Sequence, residues 1–213
     1  TNLGLGVLAN TPNSYWLDFS LDDPLEMRWG YVLARYGGMA INSIRIAGGL
    51  EEEERDQRKR TFERFLEHYG GRFRCYAQSS RTPSEEGMRF DTGWIGRKIA
   101  EARAQLGPEA RILVTVDSFH DVLLEERAYD ENDRQRQKSW ALKQLAIEQD
   151  VLLLLTAHAL KHRRSRGLDS DVIKGGVLQY DAQAIIHLYN EVKHRRTQAT
   201  LFWELEGKRM PVL

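Results

Sequence analysis

Short segments rich in apolar residues alternate along this chain with longer ones in which apolar side chains recur every three or four positions. The short segments are Tyr15–Ser20, Arg72–Ala77, Ile112–Asp117, Val151–Ala157, Ala184–Tyr189 and Leu201–Leu205. Two contain runs without a charged break, Ile112–Val116 (ILVTV) and Val151–Leu155 (VLLLL). Strands covered on both faces of a parallel sheet read this way. In Arg134–Gln149, by contrast, Trp140, Leu142, Leu145, Ala146 and Ile147 form a stripe among Gln, Lys and Arg, which predicts an amphipathic helix. Ile95–Leu106 repeats that spacing and stops at Gly107-Pro108, a helix-ending pair. Glu51–Tyr69 opens on four Glu residues and passes into Arg and Lys, the order that complements a helix dipole. Strands alternating with helices predict crossover units and an α/β fold. Loops are expected at Ser79–Gly87, Arg127–Asp133 and Lys161–Lys174.

The chain has 213 residues, which suits one large domain, and no internal repeat or long Pro/Gly/Ser linker divides it. Apolar residues make up 41% and charged residues 29%, enough for a core and against global disorder. Lys plus Arg and Asp plus Glu both number 31, so any attraction to nucleic acid must come from a local patch. A single cysteine, Cys75, excludes an internal disulfide framework and a multi-cysteine zinc site, and suits a reducing compartment. The apolar runs are far shorter than the roughly 18 residues of a membrane span. Thr-Asn-Leu-Gly-Leu-Gly at the start lacks the basic opening of a signal peptide. A soluble, cytoplasmic protein is expected.

Ligands of open α/β sheets sit beyond the carboxyl ends of the strands. Asp117 ends the most apolar strand, and Asp22 and Asp23 follow another. A carboxylate there can hold Mg²⁺ through its water shell, or it can simply end a strand. Asp22-Asp23-Pro24 reads equally as a helix N-cap with Pro at the first helical position. His158 follows the Val151 strand and could sense a phosphate or hydrogen-bond in place; the other histidines show no metal-ligand spacing. Lys161–Gly167, with Arg163, Arg164 and Arg166, concentrates positive charge, as does Lys193–Arg196. Such runs can bind phosphates or stay solvated. Gly175-Gly176 beside Lys174 offers exposed backbone N–H groups. Gly207-Lys208-Arg209 follows the last predicted strand and would place an Arg at a hairpin tip. Gly4-Leu5-Gly6 lacks the strand and third glycine of a dinucleotide loop.

In order and spacing these pieces resemble the C-terminal RecA-like ATPase domain of DnaB-type replicative helicases, over nearly the whole chain. Tyr15–Asp23 (YWLDFSLDD) is similar to that family's strand ending in Phe-Ser-Leu-Glu, and Arg111–Phe119 (RILVTVDSF) looks like its Walker B strand. Ala141–His158 (ALKQLAIEQDVLLLLTAH) resembles the helix and strand that end in Ser-Gln. Ser170–Tyr189 shares Ser170-Asp171, Gly176, Asp181-Ala182 and Tyr189 with a pattern of fixed spacing, the most specific of these matches.

The resemblance implies a P-loop NTPase: a mostly parallel twisted sheet flanked by helices, spanning residues 1–213 as one domain. Its first strand and phosphate loop would lie ahead of Thr1. Thr1 would then be the hydroxyl residue that coordinates Mg²⁺, and Asp117 the carboxylate that holds the metal's water. Asp22 would take the place of the catalytic Glu and polarise the attacking water. His158 would stand where the family has the Gln that reports the γ-phosphate state. Lys174, Gly175 and Gly176, with Arg163, Arg164 and Arg166, would hold single-stranded DNA. Arg209, with Lys208, would be the finger inserted into an adjacent subunit's ATP site. The implied protein hydrolyses ATP with Mg²⁺, forms a homo-hexamer and unwinds DNA during replication, with primase and a loader as implied partners. Asp22 is one methylene shorter than Glu, His158 can gain a proton near neutral pH where Gln cannot, and the pore segment has Ile-Lys for Arg-Glu. Two other readings share many of these residues: a KaiC- or RadA-like ATPase that does not unwind DNA, and a degenerate module that binds DNA or a partner without hydrolysis.

Overall fold

The computed structural model describes residues 2–39, 52–78, 90–124, 129–157, 178–190, 199–205 and 208–211. The chain divides into two compact units, Thr1–Glu126 with Gln144–Ala157, and Arg127–Lys143 with His158–Leu213.

The first unit holds a four-stranded parallel sheet made of β1 (Ser14–Ser20), β2 (Phe73–Ala77), β3 (Arg111–Asp117) and β4 (Leu152–Leu155), in the order β2-β1-β3-β4. Its helices are α1 (Asn2–Asn10), α2 (Leu25–Gly37), α3 (Glu52–Tyr69) and α4 (Thr92–Leu106), with the last turn of α5 (Glu131–Glu148), whose earlier part, up to Lys143, belongs to the second unit. Residue types set their ends. Asp91 caps α4 by accepting the Trp94 N–H at 2.7 Å, and Gly107 closes the helix by donating to the Arg103 carbonyl. Arg103 then ties this end to the turn before β4, donating to the carbonyls of Ala110, Gln149 and Asp150. Gly38, left-handed at φ 66°, ends α2.

Strand alternation divides the core in two. Odd positions of β1 and even positions of β3 point to one side, where Leu17, Phe19, Ile112, Val114 and Val116 pack with Trp94, Ile95 and Ile99. The other side joins Trp16 and Leu113 to Leu8, Val32, Leu33, Phe65 and Phe73. Trp29 meets Phe65 and Phe73 edge-on, with centroids 5.7 and 5.1 Å away. α1 lies so close to this layer that a Cβ at Gly4 would fall 2.4 Å from the Trp16 ring.

The second unit contains the one-turn helix α6 (Leu178–Asp181) and an antiparallel sheet of β5 (Ile185–Asn190), β6 (Ala199–Leu205) and β7 (Lys208–Pro211). There Asp181 accepts from Ser139 at 2.6 Å and pairs with Lys143 at 3.3 Å.

The α/β alternation and most element positions agree with the sequence, and three local expectations change. Pro24 takes the N-cap of α2 rather than its first helical position, and no side chain caps that helix. The loop expected at Arg127–Asp133 already becomes helix at Glu131. In α5, Leu142 is buried, but Trp140 and Ile147 are 59% and 61% exposed. Apolar positions spread along a helix do not all point the same way, and only those that meet a neighbour are covered. Among the described residues no helix is long and apolar enough to cross a membrane.

Candidate active site

Parallel register brings the ends of β1, β3 and β4 to one edge. Ser20 of β1 pairs with Asp117 of β3, and Val116 of β3 with Leu155 of β4. Beyond those pairs the chain stays joined by backbone bonds. The Asp117 carbonyl accepts the N–H of Leu21 at 2.6 Å and of Asp22 at 3.3 Å. The Thr156 N–H donates to Val116 at 3.0 Å, and the Phe119 N–H returns to Thr156 at 2.9 Å. The Asp117–Ser118 peptide is cis. Asp22 and Asp117 therefore lie side by side at the carboxyl edge, Asp22 exposed and Asp117 partly covered.

Below that edge the face shared by Trp16 and Leu113 turns polar. Asp18, fully buried in β1, faces Thr115 in the register and lies one strand from Cys75. Arg28, 6% exposed on α2, donates to Asp18 through Nε at 2.6 Å and Nη2 at 2.8 Å. Its Nη1 donates to Asp117 Oδ2 at 3.1 Å. The other Asp117 oxygen, Oδ1, accepts from the Thr156 hydroxyl. Thr115 donates to Asp18 and accepts the Trp16 indole N–H at 2.8 Å. A continuous chain of polar contacts thus runs from Trp16 under α1 to the tip of β3. Burial opposes the charge on Arg28, but its bonds to Asp18 and the fields of Asp18 and Asp117 outweigh this and raise its pKa. Burial and the neighbouring Asp18 charge push the Cys75 thiol up, so it stays protonated.

No family model matches the chain, and no curated protein sequence matches it. Among solved structures, a DnaB-like replicative helicase, described with its interactions with primase, aligns with a TM-score of 0.73 at 16% identity. The match covers 94% of this chain and 47% of that one, so the chain spans about half the helicase's length. A second solved structure, of an ATPase domain, aligns at 0.71 with 15% identity, over 94% of this chain and 69% of that one. The fold is RecA-like, as in the ATPase domains of DnaB-type helicases.

Within this RecA-like frame, Asp22 and Asp117 are the two sequence-predicted site residues that the structure brings together. Thr1, His158, Arg163, Arg164, Arg166, Lys174, Gly175 and Gly176 lie outside the described residues. Lys208 and Arg209 open β7, opposite Leu205 and Glu204; their side chains are outside the described residues. A surface hollow lined by Tyr36, Gln57, Arg60, Thr61 and Arg64 sits by the C-terminal end of α2, at the opposite end from Arg28.

Sequence reading missed Asp18, Arg28 and Thr156. An acid between Leu17 and Phe19 in a strand, and an Arg followed by Trp29 on an apolar helix, were the available signals. Among the described residues no three His, Cys, Asp or Glu side chains converge as a metal cage. The edge instead carries the oxygens of Asp117 and Thr156, hard donors of the kind that would suit a hydrated Mg²⁺.

Proposed function

We propose that this chain is a RecA-like motor domain that hydrolyses ATP with Mg²⁺ and works in a homo-hexameric ring on single-stranded DNA during replication, in the cytoplasm. What supports this is the shared carboxyl edge, where the Asp22 N–H bonds the Asp117 carbonyl in a fold built like helicase ATPase domains. In such a site catalysis is mostly positioning and electrostatics around an in-line attack by water.

In this scheme Asp117, with the Thr1 hydroxyl, would hold the metal's ligand sphere, and Mg²⁺ held there would supply charge neutralisation at the phosphates. Asp22 orients and polarises the attacking water. His158 reports the γ-phosphate, and Arg209 with Lys208 reaches a neighbouring subunit's nucleotide. Lys174, Gly175 and Gly176, with Arg163, Arg164 and Arg166, track the DNA backbone. In a second reading, a degenerate module that binds DNA or a partner without hydrolysis, the Asp117 carboxylate serves only its protein donors, Arg28 and Thr156.

In the full-length protein, Asp22→Asn is expected to lower steady-state ATP hydrolysis by about 10²–10⁴-fold while nucleotide binding persists. Unchanged hydrolysis removes Asp22 from the chemistry. No hydrolysis in the unaltered protein, with or without single-stranded DNA, selects the second reading, and hydrolysis without unwinding of forked DNA selects a KaiC- or RadA-like ATPase.

A further inference from the structure

Arg28 takes no part in the proposed chemistry, yet it is the cation that joins the interior of the sheet to Asp117. Asp18 alone neutralises it, with two bonds in fork geometry at 2.6 and 2.8 Å. The third bond, to Asp117, is therefore more than charge balance requires. The guanidinium is planar and cannot turn without breaking both Asp18 bonds, so Nη1 is presented to Asp117 in a fixed direction. Asp18 is held in turn by the Thr115 hydroxyl, and Thr115 by the Trp16 indole. On the far side, Thr156 fixes the other oxygen of Asp117.

We propose that Arg28, anchored by Asp18, is a positioning residue that sets the plane of the Asp117 carboxylate toward a hydrated divalent cation. This rests on the reading of Asp117 as the holder of the metal's water. A carboxylate has about four acceptor positions, so the bonds from Arg28 and Thr156 leave room for water ligands while removing rotational freedom. Outer-shell partners of this kind typically change metal affinity by about 10–100-fold. A lysine at position 28 would keep the charge but lose the fork.

The test compares Arg28→Lys, and the paired replacement Asp18→Leu with Arg28→Met, against the unaltered full-length protein. The paired change removes both buried charges together, which proteins commonly tolerate without loss of stability. Two quantities are read: the Mg²⁺ concentration that half-saturates binding of a fluorescent ADP, and the thermal midpoint of the metal-free protein. Both variants are expected to need about tenfold more Mg²⁺ or beyond, with the loss confined to the Mg²⁺-dependent part of ADP binding. An unchanged Mg²⁺ requirement in both overturns the positioning role. So does equal weakening of binding with Mg²⁺ and with a chelator, in step with a lower midpoint, because that is the mark of a structural ion pair. An unaltered protein that binds no ADP overturns the nucleotide-site reading itself, and this inference with it.

Discussion

The two faces of the parallel sheet solve the problem of burial differently. On one, Leu17, Phe19, Val114 and Val116 meet the apolar side of α4, and burial of apolar surface is the main term. On the other, the layer begins with Trp16 and Leu113 and turns polar at Asp18 and Thr115, ending at Ser20 and Asp117. An apolar face loses stability in proportion to the volume removed. A buried polar ladder fails in steps, because each deletion leaves a partner desolvated and unsatisfied. Its bonds also have direction, and here they point at the edge that carries Asp22 and Asp117.

The sharpest break in that comparison is Asp18→Ala. It leaves the Arg28 charge buried with only Asp117 to answer it, and should cost about 3–5 kcal/mol in urea unfolding. If the loss is no greater than for a core truncation of similar volume, the ladder is packing and nothing more. On the apolar face, Ile99→Val removes one methyl from a fully buried site and should cost about 0.5–1.5 kcal/mol. A much larger loss would mean that this face is as specific as the other.

The smallest effect comes from Cys75, beside Asp18. Its thiol keeps its proton in the folded protein, through burial and the Asp18 charge, above the pH at which an unfolded cysteine ionises. The unfolded chain thus sheds the proton first, and stability falls as pH rises through the unfolded value. The loss should be about 0.4 kcal/mol at about pH 8.5 and grow above it. Urea titrations of Cys75→Ala across that range should lack this fall.

Much of the fold was legible because burial leaves a period in the sequence. Ile112–Val116 reads as a strand covered on both faces and is the buried inner strand β3, whereas Val151–Leu155, read the same way, is the edge strand β4, with Leu152 63% exposed because no strand pairs beyond it among the described residues. Gly107-Pro108 marked the end of α4, where Gly107 closes the helix. α2 was harder to see, since Pro24 precedes it without a capping side chain and Arg28 interrupts its apolar side. The exposure of Trp140 and Ile147 could not be read either, because a stripe states which side chains can be buried and not which find a neighbour.

Local sequence alone was enough to place Asp22 and Asp117 at strand ends, since strand length and the turn residues after it are local properties. The adjacency of those two ends was decided by tertiary structure, through the parallel pairing of β1 with β3. So was the choice of Arg28 as partner of both Asp18 and Asp117, which are 10 and 89 residues away from it. Periodicity follows from backbone geometry within a few residues, whereas an ion pair in a low-dielectric interior depends on which distant charges the folded chain removes from water together.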